Sequence, residues 1–147
     1  MGLGNISITG NYPEVSKDTM LSKLNILKEP FLENFNPNIN DRIDRIKRIQ
    51  KLVEENIDAF HKSLREDFGS RHEQLSLMAD TMPVINNAKH ALKNIKKWVK
   101  QDNRKPNFPL GLLGSKAYVQ FQPYGVVGII SPWNFPLTLS LSLIHIS

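Results

Sequence analysis

The chain has 147 residues, a net charge of +5 and no cysteine. The missing thiol excludes a disulfide framework, a thiolate metal site and a cysteine nucleophile from this stretch of polypeptide. The positive balance is compatible with a nucleic-acid partner, but net charge bears on solubility and non-specific association, not on fold. No run approaches the ~18–20 consecutive apolar residues of a membrane-spanning helix.

Met1-Gly2-Leu3-Gly4-Asn5 has neither the basic start nor the apolar core of a signal peptide, and Ile6 stands where an N-myristoylation motif requires Ser or Thr. A cytoplasmic location is the default expectation. Residues 1–40 read as an N-terminal arm. It has a turn at Gly10-Asn11-Tyr12-Pro13, a short helix over Met20–Lys28 and a polar loop from Asn34 to Asn40 around Pro37.

From Asn40, the expected N-cap, the pattern turns helical. Ile43, Ile46, Ile49, Leu52 and Val53 recur at three- and four-residue spacing. Arg42, Arg45, Lys47, Arg48 and Lys51 fall largely off that stripe, as a solvated face does. The pattern resumes at Ile57, Phe60, Leu64 and Phe68, with Gly69 placed to end a second helix. A third helix is expected over His72–Val99, its stripe formed by Leu75, Met78, Ala79, Met82, Ile85, Ala88, Leu92, Ile95 and Val99. Pro83 predicts a kink near Ala79–Thr81, because it removes a backbone donor and clashes with the preceding turn. His61, His72 and His90 lack metal-ligand spacing, so no metal site is expected and the histidines read as surface or helix-end residues.

Lys93, Lys96, Lys97, Lys100, Arg104 and Lys105 form the densest basic patch. Favourable charge at a helix C-terminus explains most of it, and only Trp98 is interleaved where a nucleic-acid module would carry several stacking residues. No nucleic-acid partner is expected. Residues 101–116 form a connector containing the Pro/Gly-rich Pro106–Gly114, and Ala117–Gln122 alternates with period two, as a strand or hairpin arm does.

The most informative stretch is Pro123-Tyr124-Gly125-Val126-Val127-Gly128-Ile129-Ile130-Ser131-Pro132-Trp133-Asn134-Phe135-Pro136. Val126, Val127, Ile129 and Ile130 form a short β-branched run that suits a strand buried on both faces of a parallel sheet. Pro132 ends it, and Pro136 fits the first turn of a helix through Leu137, Leu139 and Leu141. In an open α/β sheet ligands bind beyond the carboxyl ends of strands, where Ser131–Phe135 is expected. Asn134 can aim a neutral N–H at an oxygen that becomes negative during reaction. It can equally be the cap of the following helix, with Trp133 as core.

This run resembles the aldehyde dehydrogenase superfamily, whose members carry P-x-G-V-V-x-I-x-P-W-N-[FY]-P at the first strand of the cofactor domain. The resemblance extends upstream through Asp41-Arg42-Ile43-Asp44-Arg45-Ile46, Glu66-Asp67-Phe68-Gly69, His90-Ala91-Leu92-Lys93 with Trp98, and Val119-Gln120-Phe121-Gln122, especially toward the class 3 and coniferyl-aldehyde branch. It implies an α/β protein: N-terminal helices plus the start of a Rossmann-like parallel-sheet cofactor domain. Residues 41–147 are then the N-terminal part of an NAD(P)-binding domain, with helices in 41–100, the connector, strands in 117–130 and an active-site loop at 131–136.

The resemblance also implies a parent enzyme, expected to be homodimeric, that oxidises a small-molecule aldehyde, aromatic or long-chain, with NAD or NADP. There a Cys adds to the carbonyl, a hydride leaves to the nicotinamide, and a Glu-activated water cleaves the thioester. Asn134 matches the oxyanion-stabilising residue, and Ile130, Ser131, Pro132 and Trp133 match positions along the cofactor. The nucleophile and general base are expected beyond Ser147, so the chain reads as a fragment, inactive alone. The family's pattern holds through Leu141-Ser142 and is left at Leu143-Ile144-His145-Ile146-Ser147; Leu141–Ser147 back-translates as sequencing-adapter DNA, so the stretch is either adapter-derived or a genuine helix turn. A helical interaction module or a basic nucleic-acid binder would fit residues 41–100 or the charge, but neither accounts for Pro132-Trp133-Asn134-Phe135-Pro136.

Overall fold

Two helices meeting along apolar stripes make the body of the computed structural model, which describes residues 15–143. The turn expected at Gly10–Pro13 and the last four residues of the Leu141–Ser147 reading lie outside the described residues. Helix α2 runs Ile39–Glu55 and α5 runs Met82–Trp98. Ile46 of α2 packs with Ala88, Ala91 and Ile95 of α5, and Val53 with Val84 and Ile85. Each fully buried aliphatic side chain contributes about 1.5–3 kcal/mol, which outweighs any helix propensity difference. Helix α3, Ile57–Phe68, adds Ile57 and Phe60 to the second cluster and ends at Gly69, whose φ of 72° is the left-handed conformation expected there.

The start of α2 differs from the sequence reading. Asn38, not Asn40, is the N-cap, and its Oδ1 accepts from the N–H of Asn40 at 2.9 Å and of Asp41 at 3.0 Å. Both asparagines are competent caps. The earlier start brings Ile39 onto the helix, where it packs against the Ile46 cluster, and that burial decides between them.

Helix α1 is longer than the expected Met20–Lys28 segment. It spans Lys17–Glu33, capped by Ser16 Oγ accepting from Thr19 N, and includes Pro30. No α1 side chain is fully buried, but the Phe31 ring closes over Gly125. A Cβ on Gly125 would lie 2.6 Å from that ring, and φ there is 87°, so glycine is required for both reasons.

The third helix is interrupted, as Pro83 demands, although the break is a change of helix type. Helix α4, Glu73–Ser76, passes into a π turn at Leu77–Thr81 before α5 begins with Pro83 in its first turn. The inserted residue rotates everything upstream of the turn by about one helical position. Ser76 and Asp80 are therefore buried, as is Thr81 at the end of the turn, whereas Leu75 and Met78, assigned to the buried stripe from spacing, are exposed; Met82, the first residue of α5, is exposed as well, at the edge of the packed face. A stripe drawn at constant period cannot cross a π turn.

Strand β1, Asp102–Arg104, lies inside the expected connector and pairs antiparallel with β2, Ala117–Val119, in the register Asp102↔Val119 and Arg104↔Ala117. The alternating segment is thus a hairpin arm. Val126–Ile130 is not a strand among the described residues, and Ile129 and Ile130 are exposed. A strand needs partner strands for its amides, and β1–β2 is the one sheet among the described residues. Helix α6, Pro136–Leu141, does find a seat, with Leu141 packed against the Val53–Val84–Ile85 cluster.

Candidate active-site loop

The loop Ser131–Phe135 sits on the helical body at the π turn, and Pro83 is the origin of the attachment. Proline has no N–H, so it offers no helical bond to the carbonyl four residues back, Ala79. Thr138 Oγ1 of α6 approaches both Ala79 O and Asp80 O at 2.8 Å, supplying a donor where the helix break leaves carbonyls short of one. Ser140 Oγ donates to Pro136 O at 2.6 Å and lies 2.8 Å from Ser131 Oγ, which ties the loop's first residue to α6.

The loop's other end is held by Arg71, two residues beyond the Gly69 cap. Its side chain is buried, its Nη2 pairs with Asp80 Oδ2 at 2.5 Å, and its Nη1 donates to Asn134 O at 2.6 Å. The guanidinium lies 4.7 Å from the Phe68 ring centroid and 5.1 Å from that of Phe135, a cation between two aromatic faces. Asp80 is fully buried on the π turn, and its Oδ1 has no hydrogen-bond partner among the described residues. Arg71 is thus its charge partner, and breaking a buried pair from one side typically costs about 3–5 kcal/mol.

The five residues singled out from sequence are consecutive, and the structure divides them. Ser131 is half-buried and held. Ile130 and Trp133 stand out, with relative exposures of 101% and 78%, and Pro132 and Asn134 are also exposed. Trp133 is therefore not core; its ring contact is with Phe68, at 5.9 Å between centroids. Asn134 does not cap α6 either, because the N-cap is Phe135 and no side chain bonds there. The backbone of Asn134 is anchored inward while its amide is left at the surface. An exposed neutral amide on a fixed backbone can present an N–H donor to a ligand oxygen without trapping a permanent charge.

Sequence reasoning missed Arg71, Asp80 and Thr138. A faint signal existed for Asp80, a lone carboxylate between Ala79 and Thr81 in a stretch otherwise read as an apolar stripe. His61 also departs from its surface assignment: it is buried between α3 and the π turn, its Nε2 3.2 Å from Thr81 Oγ1 and its Nδ1 3.9 Å from Glu73 Oε1. His72 is a helix-end residue, its ring Nδ1 accepting from Gln74 N at 3.2 Å. Among the described residues no group of three or more metal-ligating side chains comes together. Lys93, Lys96, Lys97, Lys100, Arg104 and Lys105 are all exposed. Burial, and then the neighbouring Arg45 charge, lower the Arg42 guanidinium below its usual value. No described helix is long and apolar enough to cross a membrane.

Comparison with known proteins agrees with the motif. The family model described as the aldehyde dehydrogenase family matches residues 7–146. Coniferyl aldehyde dehydrogenase of a Pseudomonas species is 35% identical over 136 residues, 92% of this chain and 27% of that protein. Probable coniferyl aldehyde dehydrogenase of Caulobacter vibrioides is 36% identical over 130 residues, 88% of this chain and 27% of the relative. Aldehyde dehydrogenase family 3 member B3 of Mus musculus is 28% identical over 138 residues, 92% of this chain and 28% of that protein. The chain spans about a quarter of the length of the curated relatives it matches. A mostly helical body with a small two-stranded sheet is consistent with the N-terminal part of that fold.

Proposed function

Because the chain belongs to the aldehyde dehydrogenase family, we propose that it supplies the oxyanion-binding loop of an NAD- or NADP-dependent enzyme oxidising an aldehyde to a carboxylate. The observation that carries this reading is the division within the loop: Asn134 is tied down through its carbonyl by Arg71, while its amide is exposed. That amide donates to the aldehyde oxygen as negative charge develops on it, a contact stronger in the transition state than in the ground state. Ile130, Pro132 and Trp133 form an accessible apolar edge beside it, which fits the flat face of a nicotinamide cofactor. Ser131, held toward Ser140, anchors the backbone within that edge, between Ile130 and Pro132. When bound, the cofactor supplies hydride acceptance. The printed names of the Pseudomonas and Caulobacter relatives make coniferyl aldehyde the first substrate to assay. The setting proposed is a cytoplasmic homodimer.

The chain carries no thiol, so the test belongs in the whole protein. There Asn134→Ala is expected to lower kcat about 10²–10³-fold through loss of one oxyanion donor, with little change in cofactor affinity. Wild-type kcat in that variant would remove Asn134 from the reaction.

A further inference from the structure

The geometry points to Arg71 as a positioning residue for Asn134, a role resting on the oxyanion reading only in its catalytic consequence. Arg71 belongs to neither the loop nor α6. It lies in the segment after α3, yet it donates to the carbonyl of Asn134 itself and stacks on the ring of the next residue, Phe135. A donor fixed on that carbonyl and a plane fixed on that ring together set the peptide unit joining Asn134 to Phe135, and with it the direction in which the Asn134 side chain leaves the backbone. Leu139 N of α6 donates to Phe135 O at 3.2 Å, and Thr138 and Ser140 hold α6 and Ser131, so Arg71 is the contact that reaches the Asn134 carbonyl from outside the loop and α6.

The arginine is in turn aimed from three sides. Asp80 Oδ2 takes Nη2, the Phe68 ring backs the guanidinium, and burial removes competing water. The planar fork serves carboxylate and carbonyl through separate nitrogens, which a lysine cannot reproduce. Asp80 reaches this position because the π turn rotates it inward, so the helix break caused by Pro83 is transmitted to the loop through Asp80 and Arg71. The buried pair therefore acts as a strut between the π turn and the Asn134 peptide.

The test separates strut from mere fold support. Arg71→Ala leaves a buried carboxylate bare and can fail to fold, so the informative variant is Arg71→Met with Asp80→Leu, which removes both charges and keeps the volume filled. In nuclear magnetic resonance spectra of the 147-residue chain, the α2 and α5 resonances should keep wild-type positions while those of Trp133, Asn134 and Phe135 shift and broaden. Wild-type loop resonances in the folded double variant would overturn the proposal. In the whole enzyme the same pair of substitutions should lower kcat about 10²-fold, as a misplacement of about 1 Å does. Adding Asn134→Ala should then cost little more, because the donor is already misdirected. Full additivity of the two effects would also overturn it. If the loop moves but Asn134→Ala alone leaves kcat unchanged, Arg71 still positions the loop and the oxyanion assignment is the part that falls.

Discussion

Residues 39–98 and residues 123–143 are both rich in branched apolar side chains, and the two regions use them in opposite ways. In the first, Ile46 and Ile95 are buried in one cluster and Val53, Val84 and Ile85 in a second. In the second, Ile129, Ile130, Trp133 and Leu139 are exposed, although the segment is pinned by Arg71, Thr138 and Leu141. Apolar content alone therefore does not locate the core. What separates the regions is whether a complementary face lies within reach: α2 and α5 supply one for each other, and β1–β2 supplies none for Val126–Ile130.

The sharpest way to test the contrast is to cut one side chain from each region. Ile95→Ala should destabilise the chain by about 2–5 kcal/mol, since the side chain is almost fully buried and its neighbours can collapse only in part. Urea unfolding followed by circular dichroism measures it, and a loss below about 1 kcal/mol would mean that α2 and α5 do not form the main core.

Next comes the close approach of helix α1 to the loop segment at Phe31 and Gly125. Gly125→Ala should cost about 1–3 kcal/mol from the left-handed backbone, with further displacement of Phe31 from above the glycine. The readout is the resonance of the Phe31 ring together with the midpoint of unfolding; an unshifted ring would show that α1 does not depend on this contact.

Asn38→Ala should cost about 1 kcal/mol, the usual worth of a cap, whereas Asn40→Ala should fall within about 0.5 kcal/mol. Equal losses would return the cap to Asn40. The smallest effect is expected from Ile130→Ser, within about 0.5 kcal/mol of wild type, because the side chain is already in water. A large loss there would mean that Val126–Ile130 is packed in solution after all, and would erase the difference between the two regions.

Much of this was legible in advance, and the misses share a cause. The helices of residues 39–98, the stop at Gly69, the break demanded by Pro83 and the hairpin arm at Ala117–Val119 all follow from local chemistry: period, caps, a missing donor, alternation. The Asn134 loop was legible as a motif. Arg71 and Asp80 were not, because an arginine after a glycine cap and a carboxylate in a helix are unremarkable until the chain brings them together across the loop. Thr138 was invisible for the same reason, since its partners are carbonyls 58 and 59 residues away.

The sequence by itself determined the family motif, the absence of a thiol and the positions of most helices, because these depend on residue type and near-neighbour spacing. Tertiary structure alone decided three things: which face of the segment before Pro83 is buried, which asparagine starts α2, and which side of the Asn134 peptide faces inward. The physical reason is one of range. A π turn changes the rotation of everything before it, the burial of Ile39 selects between two equally good caps, and a guanidinium chooses its carbonyl only when aromatic rings and a buried carboxylate from other segments have already fixed its plane.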